Sequence, residues 1–554
     1  MSSEPTGRHS AAAPAGFQVY DTTLRDGAQG EGMALTVADK LAIARHLDDL
    51  GVGFIEGGWP GALPKDTEFF RRARTELTLR NAVLVAFGAT RKPESRVEAD
   101  PQVLALLEAE TPAVCLVAKS HVRHVSEALR TSLDENLAMI RDTVAFFRRE
   151  GRRVFLDAEH FFDGYAADPQ YAVECVRVAA ESGAEVVVLC DTNGGMLPPR
   201  IADVVHEVAE RTGVPLGIHC HDDTGCAVAN TLAAVDAGVV QVQGVVNGYG
   251  ERCGNANLIT VVANLELKMG RRVLPPGRLA ELGRVSHAIA EVANQPPRAN
   301  QPYVGLSAFA HKAGLHASAI KVSPDLYQHI DPALVGNDMR MLVSEMAGRA
   351  SVELKSRQLG FDLSGQRDAV SRIVERVKNL EARGFMFEAA DASFELLLRE
   401  ELDGVPTRFF DLESWRVIVE RRADGEVVSE ATVKVVVKGE RIVATAEGNG
   451  PVNALDRALR QALERLYPQL AELELVDYKV RILDGSHGTG AVTRVLIETS
   501  DGETEWTTIG VDGNVISASW QALDDAYTYG LLRQHAGSGD PAAQGVSTAG
   551  PRTR

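Results

Sequence analysis

The feature that most constrains the fold is a regular alternation of short apolar runs with longer helical patterns between residue 17 and about residue 270. Eight of these runs have the length and composition of strands. They cover residues 17–23, 53–58, 82–90, 113–119, 154–161, 186–192, 216–221 and 239–246. Eight strand-helix units predict a (β/α)8 TIM barrel, which is an α/β fold. An open doubly wound sheet is the alternative, but no Gly-x-Gly-x-x-Gly motif follows the first strand.

Length and composition limit the class of protein. A chain of 554 residues is too long for one core, so two or three domains are expected. A formal net charge of −18 argues against nucleic acid as a partner. No apolar run approaches the roughly 20 residues of a membrane helix, and residues 1–16 lack the apolar core of a signal peptide. We therefore expect a cytoplasmic protein with no membrane partner. Its six cysteines form no Cys-x-x-Cys pair and are expected to be reduced.

Polar and charged side chains recur where the predicted strands end. Because all strands of a parallel barrel point the same way, these side chains are expected to meet at one mouth. The set comprises Arg25, Asp26, Glu56, Lys119, Glu159, Asp191, Thr192, His219, His221 and Asn255. A single member could be an ordinary structural residue, and Asp26-Gly27 alone could be a plain turn. The recurrence favours an active site.

His219 and His221 are spaced so that both imidazoles lie on one face of a strand. Neutral imidazole binds divalent transition metals, and Asp26 across the mouth would supply a carboxylate. Such a set leaves positions open, as a catalytic metal requires. Asn255, in the glycine-rich loop at residues 247–257, could add an oxygen ligand. The alternatives are two histidines that are satisfied by hydrogen bonds and a flexible connecting loop.

Two further residues complete the expected chemistry. Glu159 could act as a general base, and the Thr192 hydroxyl could bind a substrate carboxylate. Either could equally orient the metal ligands. With Arg25 beside the metal, the mouth fits a 2-oxo acid that is bound through its carboxylate and ketone oxygens, with the ketone polarised for attack by carbon.

Beyond the barrel the composition changes twice. We expect a tail at residues 1–16, the catalytic barrel at 17–290, helical linker subdomains at 291–405, an α+β domain at 406–533 and a disordered tail at 534–554. The α+β domain contains a strand-strand-turn-helix order that occurs twice, with predicted strands at 432–437, 441–447, 492–499 and 505–511 and helices at 453–466 and 516–529. This pattern indicates a degenerate internal duplication.

Four motifs together resemble the family of metal-dependent acyltransferases and lyases that carry an Asp-Arg-Glu-like signature on a TIM barrel. The family includes the 2-isopropylmalate, homocitrate and citramalate synthases. The motifs are Asp-Thr-Thr-Leu-Arg-Asp-Gly at 21–27, His-Cys-His-Asp-Asp at 219–223, Gly-Tyr-Gly-Glu-Arg-Cys-Gly-Asn at 248–255 and His-Lys-Ala-Gly-Leu-His at 311–316. The duplicated domain resembles the regulatory dimerisation domain, called the LeuA domain, of these synthases.

The resemblance implies site residues, a cofactor and partners. The metal ligands would be Asp26, His219, His221 and Asn255, and the ion Mg²⁺, Mn²⁺ or Zn²⁺. Arg25 would stabilise the enolate of acetyl-CoA, Glu159 would take the acetyl proton, and Thr192 would contact the oxo acid. His316 would reach the site of a neighbouring subunit in a homodimer.

The second strand narrows the expected substrate. Its Glu-Gly-Gly-Trp-Pro-Gly sequence at residues 56–61 is similar to that of a bacterial citramalate synthase branch, whose oxo acid is pyruvate. This implies condensation of acetyl-CoA with pyruvate in isoleucine biosynthesis, with isoleucine as an effector. The alternatives are a 2-isopropylmalate synthase, which acts on 2-oxoisovalerate, a retro-aldol lyase, and a sensing protein without catalysis.

Overall fold

The computed structural model describes residues 17–483 and 485–538, which fall into two compact units. The first unit comprises residues up to 309 together with 331–338. Its eight strands form a closed barrel in sequence order, and every neighbouring pair is parallel. The strands are β1 (Gln18–Asp21), β2 (Phe54–Glu56), β3 (Val83–Ala89), β4 (Ala113–Lys119), β5 (Arg153–Glu159), β6 (Val186–Asp191), β7 (Leu216–Cys220) and β8 (Gln241–Gly244). The predicted TIM barrel is confirmed.

At the mouth, several predicted strands end a few residues later than the observed ones, because the chain stops pairing with its neighbouring strands earlier than predicted. After β1, the amides of Arg25, Asp26 and Gly27 all donate to the carbonyl oxygen of Thr22, which forms a tight turn. This turn directs the side chains that follow β1 across the open end of the barrel. The barrel interior is filled by an aromatic cluster in which Phe155 meets Tyr20 and Phe54 edge to face.

Helices surround the barrel and begin at recognisable caps. Thr36 and Asp39 form a reciprocal capping box at the start of the first helix, and Pro64 opens the second. The helices of this unit are α1 (Val37–Leu50), α2 (Pro64–Glu76), α3 (Pro101–Glu108), α4 (Leu133–Arg149), α5 (Phe161–Ala167), α6 (Pro169–Glu181), α7 (Pro198–Thr212), α8 (Ala227–Asp236), α9 (Leu258–Leu267) and α10 (Leu282–Val292).

The second unit comprises residues 310–330 and those from 339 onward. It begins with a parallel pair of two-residue strands and four helices. These elements are β9 (Ala310–His311), α11 (Gly314–Ile320), β10 (Arg340–Met341), α12 (Arg349–Gln358), α13 (Arg367–Ala382) and α14 (Asp391–Asp403). Two three-stranded antiparallel sheets follow, each with a helix after its last strand. They contain β11 (Asp411–Arg421), β12 (Val427–Val437), β13 (Glu440–Gly448), α15 (Pro451–Leu463), β14 (Glu474–Ile482), β15 (Thr493–Ser500), β16 (Glu505–Asp512) and α16 (Val515–Ser538).

The predicted duplication is present, but each copy has one strand more than the sequence pattern predicted. The missed strands, β11 and β14, are mostly exposed and lie at the edges of their sheets. Each contains a bulge, between Leu412 and Ser414 in β11 and between Leu475 and Asp477 in β14, that interrupts its alternation of apolar and polar residues. The last helix reaches Ser538, so the tail predicted from residue 534 begins inside it. The remaining tail residues, 1–16 and 539–554, lie outside the described residues.

Within the described parts of the chain, none of the helices combines the length and apolar character that a membrane crossing requires.

Candidate active site

Asp26, His219 and His221 converge at the C-terminal mouth of the barrel. The Oδ2 atom of Asp26 lies 3.1 Å from Nε2 of His219 and 3.6 Å from Nε2 of His221. All three residues are buried, and one ligand atom from each lies within 4.8 Å of the others. Two imidazoles and one carboxylate at this spacing can hold a divalent metal ion.

The ionisation of Asp26 and His221 suits a cation. Burial opposes the charged form of Asp26, but Arg25 and His219 outweigh it and hold the pKa of this carboxyl well below its usual range. Burial and the neighbouring His219 lower the pKa of His221 to about 4. At neutral pH the site therefore offers an ionised carboxylate beside a neutral imidazole, and both forms can donate electrons to a metal.

Asn255 brings an oxygen atom with no hydrogen-bond partner to the same place. The glycine-rich loop folds back so that Asn255 forms a β-bridge with His221. Its Nδ2 donates to the carbonyl oxygen of Tyr249 at 3.1 Å, whereas its Oδ1 is buried and unpartnered. Leaving a buried amide oxygen unpaired costs free energy, so we expect this atom to bind a ligand. The orphaned Oδ1 fits a metal site built on Asp26, His219 and His221.

His219 is oriented by a residue that the sequence analysis did not select. Its Nδ1 lies 2.9 Å from Oε1 of Gln243 on β8. The amide nitrogen of Gln243 donates to Oδ1 of Asp157 at 3.0 Å, which leaves its oxygen to accept from His219. His219 therefore carries a proton on Nδ1, and Nε2, which lies 3.1 Å from Asp26, is the ring nitrogen that faces the site.

Arg25 is held rigidly beside the three ligands. Its Nε donates to Oε1 of Glu56 at 2.5 Å, and its guanidinium lies 3.9 Å from the centre of the Phe87 ring. The hydroxyl of Tyr20 donates to the other oxygen of Glu56 at 2.7 Å. One terminal nitrogen of Arg25 lies 3.6 Å from Asp26. The cation therefore has one fixed position next to the candidate metal centre.

A cavity of about 380 Å³ opens onto these residues. Its lining includes Arg25, Asp26, His221, Glu159 and Thr192, so five of the predicted site residues share one space. Glu159 forms an ion pair with Lys119 at the neighbouring strand end. The Thr192 hydroxyl accepts from the backbone N–H of His160 at 2.8 Å, which leaves its own proton free to donate.

His316 belongs to the second unit. It lies on α11, and its ring stacks on Tyr327 with the ring centres 4.1 Å apart. The predicted site set is thus divided: seven residues meet in the barrel, and the eighth is placed by the other compact unit.

Three family models match the chain along its length. The HMGL-like model covers residues 16–289, the homocitrate synthase post-HMGL domain-like model covers 303–384, and the LeuA allosteric (dimerisation) domain model covers 388–531. The expected LeuA-like domain is therefore confirmed.

Relatives with 48% to 69% identity cover almost the whole chain. An (R)-citramalate synthase of Streptomyces coelicolor is 69% identical over 93% of this chain and 97% of its own length. The chain belongs to the (R)-citramalate synthase family. The family members of Synechocystis and Aquifex aeolicus are 51% and 48% identical, again over 93% of this chain and over 96% and 98% of their own lengths. The predicted resemblance to acyltransferases of the citramalate synthase type is confirmed.

Proposed function

We propose that the chain is an (R)-citramalate synthase, which condenses acetyl-CoA with pyruvate and hydrolyses the product to citramalate and coenzyme A. The observation that carries the proposal is the barrel mouth itself. There, Asp26 and His221 of the metal-binding set, a fixed cation, a carboxylate and a hydroxyl donor line one cavity of about 380 Å³. Membership in the (R)-citramalate synthase family supports the choice of reaction.

Asp26, His219, His221 and Asn255 would hold the metal, for which Mg²⁺, Mn²⁺ and Zn²⁺ are the candidates. The unpartnered Oδ1 of Asn255 and the direction of His219, whose Nδ1 is bound by Gln243 so that Nε2 faces Asp26, support this set. When bound, a divalent ion supplies a Lewis acid that polarises the ketone of a 2-oxo acid.

Arg25 and Thr192 bind and orient the reactants. The guanidinium of Arg25, fixed by Glu56, provides positive charge where an enolate oxygen develops. Because the Thr192 hydroxyl already accepts from His160, its proton is directed to a second acceptor, for which a substrate carboxylate is suitable.

Glu159 takes a proton from the acetyl methyl group. The methyl carbon then forms a bond to the ketone carbon of pyruvate, while the electron pair of the C=O π bond moves to the ketone oxygen, which takes up a proton to become a hydroxyl. Water then cleaves the thioester to a carboxylate and releases coenzyme A as a thiol. Lys119 pairs with Glu159 at the mouth and fixes the position of the carboxylate before substrate arrives. Proton abstraction by a positioned carboxylate typically contributes 10² to 10⁴ in rate.

The second unit would provide a homodimer and a regulatory site. On β14, Tyr478, Val480 and Ile482 lie on one face and are 38%, 47% and 59% exposed. An apolar row of this kind on a strand is suited to contact with a second copy of the chain. In such a dimer His316 would approach the partner's barrel, and isoleucine would act as an effector of the LeuA-like domain. We also propose that the protein is cytoplasmic and acts in isoleucine biosynthesis. Its domains would cover residues 17–290, 291–405 and 406–533.

Release of free thiol from acetyl-CoA tests the function directly. The purified, metal-supplemented protein is assayed with pyruvate, 2-oxobutyrate, 2-oxoisovalerate and 2-oxoglutarate at equal concentrations. We expect a clear preference for pyruvate. A preference for 2-oxoisovalerate would replace the assignment with 2-isopropylmalate synthase. A protein that binds metal and isoleucine but turns over none of the four acids would be a sensor.

A further inference from the structure

Trp59 and Phe87 form an aromatic wall of the cavity that holds the candidate site. Their rings meet edge to face, with the centres 5.2 Å apart. The Phe87 ring also lies under the guanidinium of Arg25, which in turn lies beside Asp26. Trp59 is therefore separated from a candidate metal ligand by only Phe87 and Arg25, close to where an oxo acid would bind.

The backbone that carries Trp59 is anchored from below by a buried ion pair. The amide of Trp59 donates to Oδ2 of Asp66 at 2.8 Å, and the other oxygen of Asp66 pairs with Lys40. The side chains of Lys40 and Asp66 are 2% and 4% exposed. Gly58 has φ +139°, and a Cβ atom there would come within 2.4 Å of Asp66. Only glycine allows the chain to pass this closely over the ion pair.

Two more hydrogen bonds hold the residues that follow. The side chain of Gln102 donates to the carbonyl oxygen of Pro60 at 2.9 Å, and the amide of Gly61 donates to the hydroxyl of Thr67 at 3.0 Å. A loop fixed at successive residues keeps the indole in one place. A side chain on such a support discriminates by size because it cannot swing aside for a larger substrate.

We propose that Trp59 is a specificity-determining residue that restricts the cavity to 2-oxo acids with a short, unbranched side chain. The inference rests on the proposed function and deepens it. The indole and the Phe87 ring occupy the space that a branched substituent on the oxo acid would need. The indole Nε1 is buried without a hydrogen-bond partner, a cost that filling space with a purely apolar ring would avoid.

The test compares kcat/KM for pyruvate and 2-oxoisovalerate in the wild-type protein and three variants. Trp59→Ala opens the wall, and we expect it to raise the 2-oxoisovalerate to pyruvate ratio at least about tenfold, as the size of the added carbons predicts. Trp59→Phe keeps an aromatic ring without the indole N–H, and its ratio should stay within about threefold of wild type. Phe146→Ala removes a buried ring of α4 that does not line the cavity, and it should leave the ratio unchanged.

A second measurement separates binding from turnover. Oxo acid binding without acetyl-CoA is followed by calorimetry in the metal-supplemented protein, where Trp59→Ala should bind 2-oxoisovalerate more tightly than wild type does. If wild type prefers pyruvate but the ratio and the binding of 2-oxoisovalerate are unchanged in Trp59→Ala, the role of Trp59 is refuted while the function stands. If wild type turns over none of the oxo acids, the proposed function fails and this inference fails with it.

Discussion

Replacing Gln243 with methionine should weaken metal binding without changing any of the four proposed ligands. Gln243→Met keeps the length of the side chain but removes the oxygen that accepts from His219 Nδ1 at 2.9 Å. It also removes the amide that donates to Asp157 at 3.0 Å. His219 then loses the partner that fixes its tautomer and the orientation of its ring.

The expected loss follows from this one hydrogen bond. Removing the outer partner of a metal-ligating histidine typically costs 10- to 100-fold in affinity, or about 1.4 to 2.7 kcal/mol. The buried Nδ1–H and the Asp157 carboxylate also lose partners, which should reduce the free energy of unfolding by about 1 to 3 kcal/mol for each group left unpaired. Both effects should therefore be measurable in one variant.

The assay is competitive titration of the metal-free protein with Mn²⁺ or Zn²⁺ against a chromophoric chelator. Gln241→Met is the matched control because Gln241 is equally buried, lies two residues earlier on β8 and donates to Gln18 at 2.7 Å. Its Oε1 accepts only a long bond of 3.4 Å from Gln243 Nε2, whose shorter bond to Asp157 the control keeps. We expect the control to keep wild-type affinity within about threefold. Equal affinity of Gln243→Met and wild type, or an equal loss in both variants, would refute the assigned role of Gln243.

Three further predictions address the base, a buried acid and the assembly. Glu159→Gln should lower kcat by 10²- to 10⁴-fold while the KM for pyruvate changes little, and a kcat within fivefold of wild type would exclude Glu159 as the base. Burial raises the pKa of Asp21 to about 7. The protonated carboxyl therefore contributes fully to the free energy of unfolding below the ordinary pKa of 3.8, and this contribution is lost as pH rises through 7. Asp21→Asn should flatten the dependence of the free energy of unfolding, measured in urea, on pH over that window, and a slope like that of wild type would contradict the shift. The double variant Val480→Glu/Ile482→Glu should convert a dimer to a monomer, as measured by light scattering. Lys479→Glu, on the opposite face of β14, is the control and should remain dimeric. A double variant that remains dimeric would place the interface elsewhere.

The sequence was sufficient for the barrel and for most of its mouth. Strand ends can be located from the alternation of apolar runs and helices, and a parallel barrel then places all of them at one end. For this reason Asp26 and His219, which are far apart in sequence, could be expected to meet before any coordinates existed. Their roles stay predictions, since the structure establishes proximity and burial but no reaction.

The supports of the site were harder to foresee. Gln241 and Gln243 lie two residues apart on a strand with no exposed side chain, and two glutamines inside a predicted barrel strand are a sequence signal of a buried polar support. Which group each glutamine contacts depends on register and on side-chain torsions, and no local pattern encodes these. The two missed strands, β11 and β14, show the opposite case, in which a bulge interrupts the alternation of an exposed edge strand, so that the pattern is not recognised as one strand.

The loop after β2 shows how the two kinds of information combine. The sequence places Trp59 in the Glu-Gly-Gly-Trp-Pro-Gly run after the second strand, but it does not decide whether the indole narrows the mouth or only packs under the loop. The decision depends on Lys40 and Asp66, which are 26 residues apart and pair beneath Gly58. Because that buried pair fixes the backbone, removing it should change substrate selection as well as stability, whereas an indole that only filled space would affect stability alone. Selectivity in this barrel is thus expected to depend on an ion pair that does not line the cavity.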